Sequence, residues 1–147
     1  MRVVIQRVTQ AKVEVEGKVV GEIGRGLLIY VGVGHEDTAK DAVFMADKLV
    51  GLRIFGDTEG KMNLSVADIG GGILLISNFT LYGNCKKGRR PGFDEAAEPG
   101  LAEKVFEELV REVQKRGIDT GKGIFGAHMA VESVNDGPVT FVLESYS

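Results

Sequence analysis

The chain has 147 residues, 44% of them hydrophobic, which suits one domain around one continuous core, residues 1 to 147. A formal net charge of −3 excludes the broadly basic surface of a sequence-blind nucleic-acid binder, and no apolar run approaches the ~20 residues of a membrane-crossing helix. One cysteine, Cys85, excludes an internal disulfide, and Met1-Arg2-Val3-Val4-Ile5 lacks the long apolar stretch of a signal peptide, so a cytoplasmic protein without membrane association is expected.

Residues 2 to 9 alternate loosely and Lys12-Val13-Glu14-Val15-Glu16 strictly, which predicts a strand, followed by a hairpin at Gly17-Lys18 into residues 19 to 23. Leu27 to Val33 is an almost unbroken apolar run, as in a central strand covered on both faces. Asp37 or Thr38 can cap a helix to about Leu52, because Ala42, Val43, Ala46, Leu49 and Val50 recur at helical spacing. Arg53-Ile54-Phe55 reads as a short strand, residues 57 to 61 as a turn, and Ile73 to Ile76 as a second buried strand. A long loop from Gly83 to about Glu98 follows. Pro99 starts a second helix with one apolar stripe, ending at Gly117. The last elements read as two strands, residues 124 to 134 and 139 to 143, joined by a hairpin across Asn135-Asp136-Gly137-Pro138. Together these predict an α/β domain with a mixed β-sheet, an added β layer and two main helices.

Two segments carry chemistry. Ser77-Asn78-Phe79-Thr80 places hydroxyls, an amide and main-chain N–H groups just past a buried strand, where such donors can stabilise the oxyanion of an attacked ester. The alternative is an ordinary strand with Thr80 as a β-former. In a regular strand Ser77 and Thr80 face opposite ways, so both line one pocket only if a bulge or turn intervenes. Gly137-Pro138 is either a plain turn or, if its bond is cis, a functional feature. Lys86, Lys87, Arg89 and Arg90 lie within five residues and form either a phosphate-pairing patch or a solvated loop. His35 reads as a loop or capping residue and His128 as a strand residue sharing a face with Glu132. Two isolated histidines and one cysteine lack metal-ligand spacing, and no nucleotide-cofactor motif is present, so no metal or cofactor is expected.

At Ser77-Asn78-Phe79-Thr80 and Gly137-Pro138-Val139-Thr140 the chain resembles the D-aminoacyl-tRNA deacylase family, also called D-tyrosyl-tRNA deacylase. The resemblance runs from residues 1 to 8 through 52 to 55, 61 to 65, 87 to 91 and 125 to 129, nearly the whole chain. It implies a three-layer deacylase-family fold and hydrolysis of the ester between a D-amino acid and the 3′ end of tRNA. It also implies a homodimer in which each pocket receives the partner's Gly-Pro segment, with that bond cis. Carried onto this sequence, Ser77, Asn78, Phe79 and Thr80 form the catalytic motif, with main-chain N–H groups of Phe79 and its neighbour for the carbonyl oxygen. Arg7, Met129, Gly137, Pro138, Val139 and Thr140 bind substrate and select chirality, Arg7 by bracing the Gly-Pro segment. Thr80 is the candidate nucleophile, although no general base stands beside it in the sequence; a water or the ribose 2′-hydroxyl asks less of the side chains. Asn78 departs from the family, where glutamine is usual. A pocket that works only by excluding L-substituents also accepts glycyl-tRNA. The competing readings are a non-enzymatic module for tRNA acceptor ends and an autonomous Thr-nucleophile esterase.

Overall fold

The computed structural model describes residues 1–145. Strand β1 (Arg2–Val15) turns at Glu16 and Gly17 and returns as β2 (Lys18–Ile23) and β3 (Gly26–Gly32), both antiparallel to it. The turn residues have φ of 52° and 78°, the left-handed pair that a two-residue hairpin needs. The stretches read separately as residues 2 to 9 and 12 to 16 are therefore one strand of 14 residues. Strand β4 (Phe55–Gly56) pairs with β5 (Met62–Leu64) in a small second sheet around the turn expected at residues 57 to 61. The short strand read at residues 53 to 55 begins only at Phe55.

Strand β6 (Gly72–Ser77) lies parallel to β3, and β7 (Asp119–Lys122) lies parallel to β6. The sequence reading missed β7, because Asp-Thr-Gly-Lys carries neither apolar alternation nor β-branched density. Strand β8 (Ala130–Glu144) runs antiparallel to β1 along almost its whole length. Sheet order is β2-β1-β3-β6-β7, with β8 on the free side of β1. The sheet curls until β2 nears β7, where a Cβ on Gly21 would lie 2.6 Å from the Lys122 carbonyl oxygen.

Helices α1 (Ala39–Gly51) and α2 (Pro99–Lys115) cover one face. Thr38 caps α1: its side chain accepts from the Lys40 N–H, and Asp41 accepts from the Thr38 N–H at 2.8 Å. Leu27, Ile29, Ile73 and Leu75 meet the helices in the main core, while Leu28, Leu74 and Ile76 pack with Val8, Val13 and Ile23 inside the curl. Strands β3 and β6 are thus covered on both faces, as their apolar runs predicted, and the α/β class with mixed sheet, two helices and an added β layer is observed.

The C-terminal reading needs correction. Residues 124 to 129 are a turn with Gly126 at φ 77°, not a strand, and His128 lies just before β8. The hairpin expected at Asn135-Asp136-Gly137-Pro138 does not form; those residues interrupt β8 and the strand then resumes on the same partner. Pairing continues because β1 supplies one uninterrupted edge to both halves, a long-range contact that outweighs the local Asp-Gly turn preference.

Candidate active site

β6 delivers Ser77 to the edge of the core and stops there. The Asn78 N–H still donates to the Val31 carbonyl at 2.7 Å, after which residues Phe79–Tyr82 wind into a 3-10 turn. Asn78 caps this turn, its side-chain oxygen accepting from the Thr80 N–H at 3.2 Å and from the Thr80 hydroxyl at 2.5 Å. The turn is the change of direction that lets Ser77 and Thr80 border one cleft. Among the described residues, the Phe79 N–H and the Ser77 hydroxyl have no hydrogen-bond partner. The end of β6 and the start of the turn therefore offer one free hydroxyl and one free main-chain donor, two residues apart, at residues that line the cleft.

The underside of the turn is fixed. Tyr82 lies across Gly32 and Gly34 of the β3 end, where a Cβ on either glycine would come within 3.1 Å of it. Arg2 closes the other side: its guanidinium donates to the Leu81 carbonyl at 2.8 Å, stacks 4.7 Å from the Tyr82 ring centre and pairs with Glu144 at 2.9 Å. Burial, aided by the nearby Asp37 carboxylate, pushes the Tyr82 hydroxyl up to about 12. Sequence reasoning missed Arg2 and Tyr82; the glycines flanking Val33 were the available signal of a close approach.

The cleft itself encloses about 740 Å³ and is mostly apolar, with Tyr30, Phe106, Phe125 and Met129 among its walls. Met129 lines this cleft, and burial pushes the Tyr30 hydroxyl upward. His128 borders the cleft, whereas His35 instead bonds the Asp94 carbonyl and does not. A second hollow of about 910 Å³ runs along β1, β2 and β8 around the Lys12–Glu132 ion pair and contains none of the motif residues. Among the described residues no cluster of three or more His, Cys, Asp or Glu could hold a metal ion.

Gly137 and Pro138 are exposed, do not border the cleft and are joined by a cis bond. Gln6 pairs with Thr140 and Val8 with Asn135, so two steps along β1 face five along β8 and three extra residues loop outward. Their base is tied down. Asn135 Nδ2 donates to the Arg7 and Val139 carbonyls at 2.9 and 3.1 Å, and Gln6 donates to the Thr140 hydroxyl at 3.2 Å. Arg7 Nε donates to the Asp136 carbonyl at 2.9 Å and lies 3.3 Å from its carboxylate, while Nη1 donates to the Ile54 carbonyl at 2.8 Å. Val139 is buried beneath the loop. Lys86, Lys87, Arg89 and Arg90 sit on an exposed hairpin tip closed by paired hydrogen bonds between Asn84 and Gly92.

A rigid apolar cleft with a free N–H and hydroxyl at its edge can hold an ester carbonyl and stabilise the oxyanion that its attack creates. Fold and cleft suit a hydrolase that acts on an ester. The family model described as D-Tyr-tRNA(Tyr) deacylase matches residues 4–144. Proteins named D-aminoacyl-tRNA deacylase are 57% identical in Geobacillus sp. (strain WCH70) and 54% identical in Alkaliphilus metalliredigens (strain QYMF). Each aligns over 145 residues, 99% of this chain and 95% or 97% of the relative. Among solved structures, one titled c-Myc DNA Unwinding Element Binding Protein superposes with a TM-score of 0.93 at 39% identity over the whole of both chains. A probable eukaryotic D-amino acid tRNA deacylase shares the fold, with a TM-score of 0.85 at 20% identity over 97% of this chain and 98% of its own. The chain belongs to the D-Tyr-tRNA(Tyr) deacylase family.

Proposed function

We propose that this chain hydrolyses the ester joining a D-amino acid to the 3′ end of tRNA, releasing the amino acid and free tRNA. The observation that carries this reading is that the Phe79 N–H and the Ser77 hydroxyl, both at residues lining the cleft, have no hydrogen-bond partner among the described residues, in a chain of this family. The terminal adenosine enters the cleft, and the ester carbonyl accepts from the Phe79 N–H. A water, oriented with help from the neighbouring ribose 2′-hydroxyl, attacks the carbonyl carbon, and the tRNA 3′-oxygen leaves with a proton that the attacking water gives up. Thr80 is not the nucleophile in this scheme. Its hydroxyl proton is donated to an amide oxygen, which cannot act as a base, so nothing bonded to Thr80 activates it. The Asn78 carboxamide oxygen is likewise occupied as the cap, so its shorter length relative to glutamine has no consequence for a main-chain mechanism.

Chirality is selected by a second copy of the chain. Gly137 and Pro138 project from β8 away from their own cleft, and Arg7 and Asn135 hold the base of that projection from opposite sides. In a homodimer the segment reaches the partner's cleft, where its carbonyl oxygens, with Val139 and Thr140 behind them, occupy the space an L-side chain would need. Lys86, Lys87, Arg89 and Arg90 pair with tRNA phosphates. Exclusion of this kind leaves glycine acceptable, since glycine has no side chain to reject.

Incubation of purified protein with D-tyrosyl-, L-tyrosyl- and glycyl-tRNA, following amino-acid release, tests the reading. Release from the D and glycyl esters with the L ester intact is expected. Binding of tRNA without turnover of any ester refutes the enzyme, and full resistance of glycyl-tRNA refutes selection by exclusion alone.

A further inference from the structure

Two aromatic rings stand at the mouth of the cleft. Phe79, on the 3-10 turn, is 57% exposed and Phe93, at the foot of the basic hairpin, is 39% exposed. They meet edge to face, with ring centres 5.0 Å apart and planes at 68°. Phe93 is held in place. A Cβ on Gly83 would lie 3.1 Å from its ring, its carbonyl accepts from the Ala96 N–H at 3.1 Å, and the Asn84–Gly92 hydrogen bonds close the hairpin directly before it. Large rings left in water by a folded chain, yet fixed in orientation, are suited to a planar apolar ligand.

The hairpin next to them says what kind of ligand. Lys86, Lys87, Arg89 and Arg90 are all exposed, and among the described residues none forms an ion pair, in a chain whose formal net charge is −3. Unneutralised cations beside open aromatic faces match a flexible single strand of nucleic acid, in which phosphates and unstacked bases alternate. We infer that Phe93, with the ring of Phe79, is a stacking platform for the penultimate nucleotide of the RNA. The cations of residues 86 to 90 take the phosphates that follow it. The inference rests on the deacylase reading, which puts the terminal adenosine inside the cleft; the next base then emerges at these rings.

Two analogues that cannot be hydrolysed test it, D-tyrosine joined by a 3′-amide to adenosine or to the dinucleotide cytidylyl-adenosine. Their dissociation constants are measured by calorimetry for the wild-type dimer, Phe93→Ala and Phe93→Tyr. The wild type binds the dinucleotide compound roughly tenfold more tightly, within the range a base–aromatic stack provides. Phe93→Ala brings the ratio of the two constants to near one whatever it does to the adenosine compound, and Phe93→Tyr retains the wild-type ratio. A wild-type ratio near one, or an undiminished ratio in Phe93→Ala, overturns the inference while adenosine binding leaves the deacylase reading standing. If the wild type binds neither compound, that reading fails first and the platform with it.

Discussion

Thr80 looks like a nucleophile in the sequence and is a capping partner in the structure. Loss of a catalytic nucleophile costs roughly a millionfold in rate, whereas loss of one ordinary hydrogen bond costs about 1 kcal/mol, near fivefold. Thr80→Ala is therefore expected to keep at least a tenth of wild-type D-tyrosyl-tRNA turnover, measured by amino-acid release; a background rate would restore Thr80 as the reacting group. Tyr82 carries a second expectation at this scale. Its hydroxyl is raised to about 12, so its contribution to stability is complete below the ordinary value of 10 and is lost as pH climbs from there through about 12. Thermal melts between pH 10 and 12 should show the wild type losing stability faster than Tyr82→Phe. Neither residue's part could be read from the chain alone. Whether a hydroxyl faces a base, an amide or an apolar wall depends on what the fold brings to it from far away.

At the scale of elements, β8 is the instructive case. Residues 124 to 134 and 139 to 143 read as extended chain, correct from residue 130 onward, and Asp-Gly between them read as a turn. What decides between a hairpin and an interrupted single strand is β1, more than a hundred residues away and invisible to local pattern. The same limit explains β7, recruited by the free edge of β6 and not by its own residues. The buried strands β3 and β6 and both helices were legible because burial writes itself into composition and period. The outward loop of β8 is braced by Arg7, whose charge-assisted bond to the Asp136 carbonyl is of a class worth about 1.5–3 kcal/mol. Arg7→Ala is expected to lower the ratio of D- to L-tyrosyl-tRNA hydrolysis by roughly tenfold or more, by loosening the loop and leaving the cleft donors intact. Equal loss on both substrates with the ratio unchanged would remove Arg7 from chiral selection.

For the whole molecule, β8 pairs among the described residues only with β1, which leaves its other side an open sheet edge there. Along β8, Val134, Phe141 and Val142 are exposed by 48%, 40% and 66%, on either side of the Gly137–Pro138 loop in the chain. Under the proposed homodimer, a second copy seated there would cover these side chains and bring the loop to a neighbouring cleft. Sedimentation of the purified protein should give a dimer, and Val142→Asp should give monomers that keep their fold by circular dichroism but no longer spare L-esters or cleave D-esters efficiently. A wild-type monomer with full selectivity would defeat this arrangement. The loop has one more consequence. Because it holds three residues beyond what the ladder needs, excising Asp136 to Pro138 would leave Asn135 and Thr140 two positions apart, in step with Val8 and Gln6. Frame and loop are thus written in separable letters: the curled sheet is expected to survive an edit that removes the whole projection, so those three positions can vary without endangering the body that carries them.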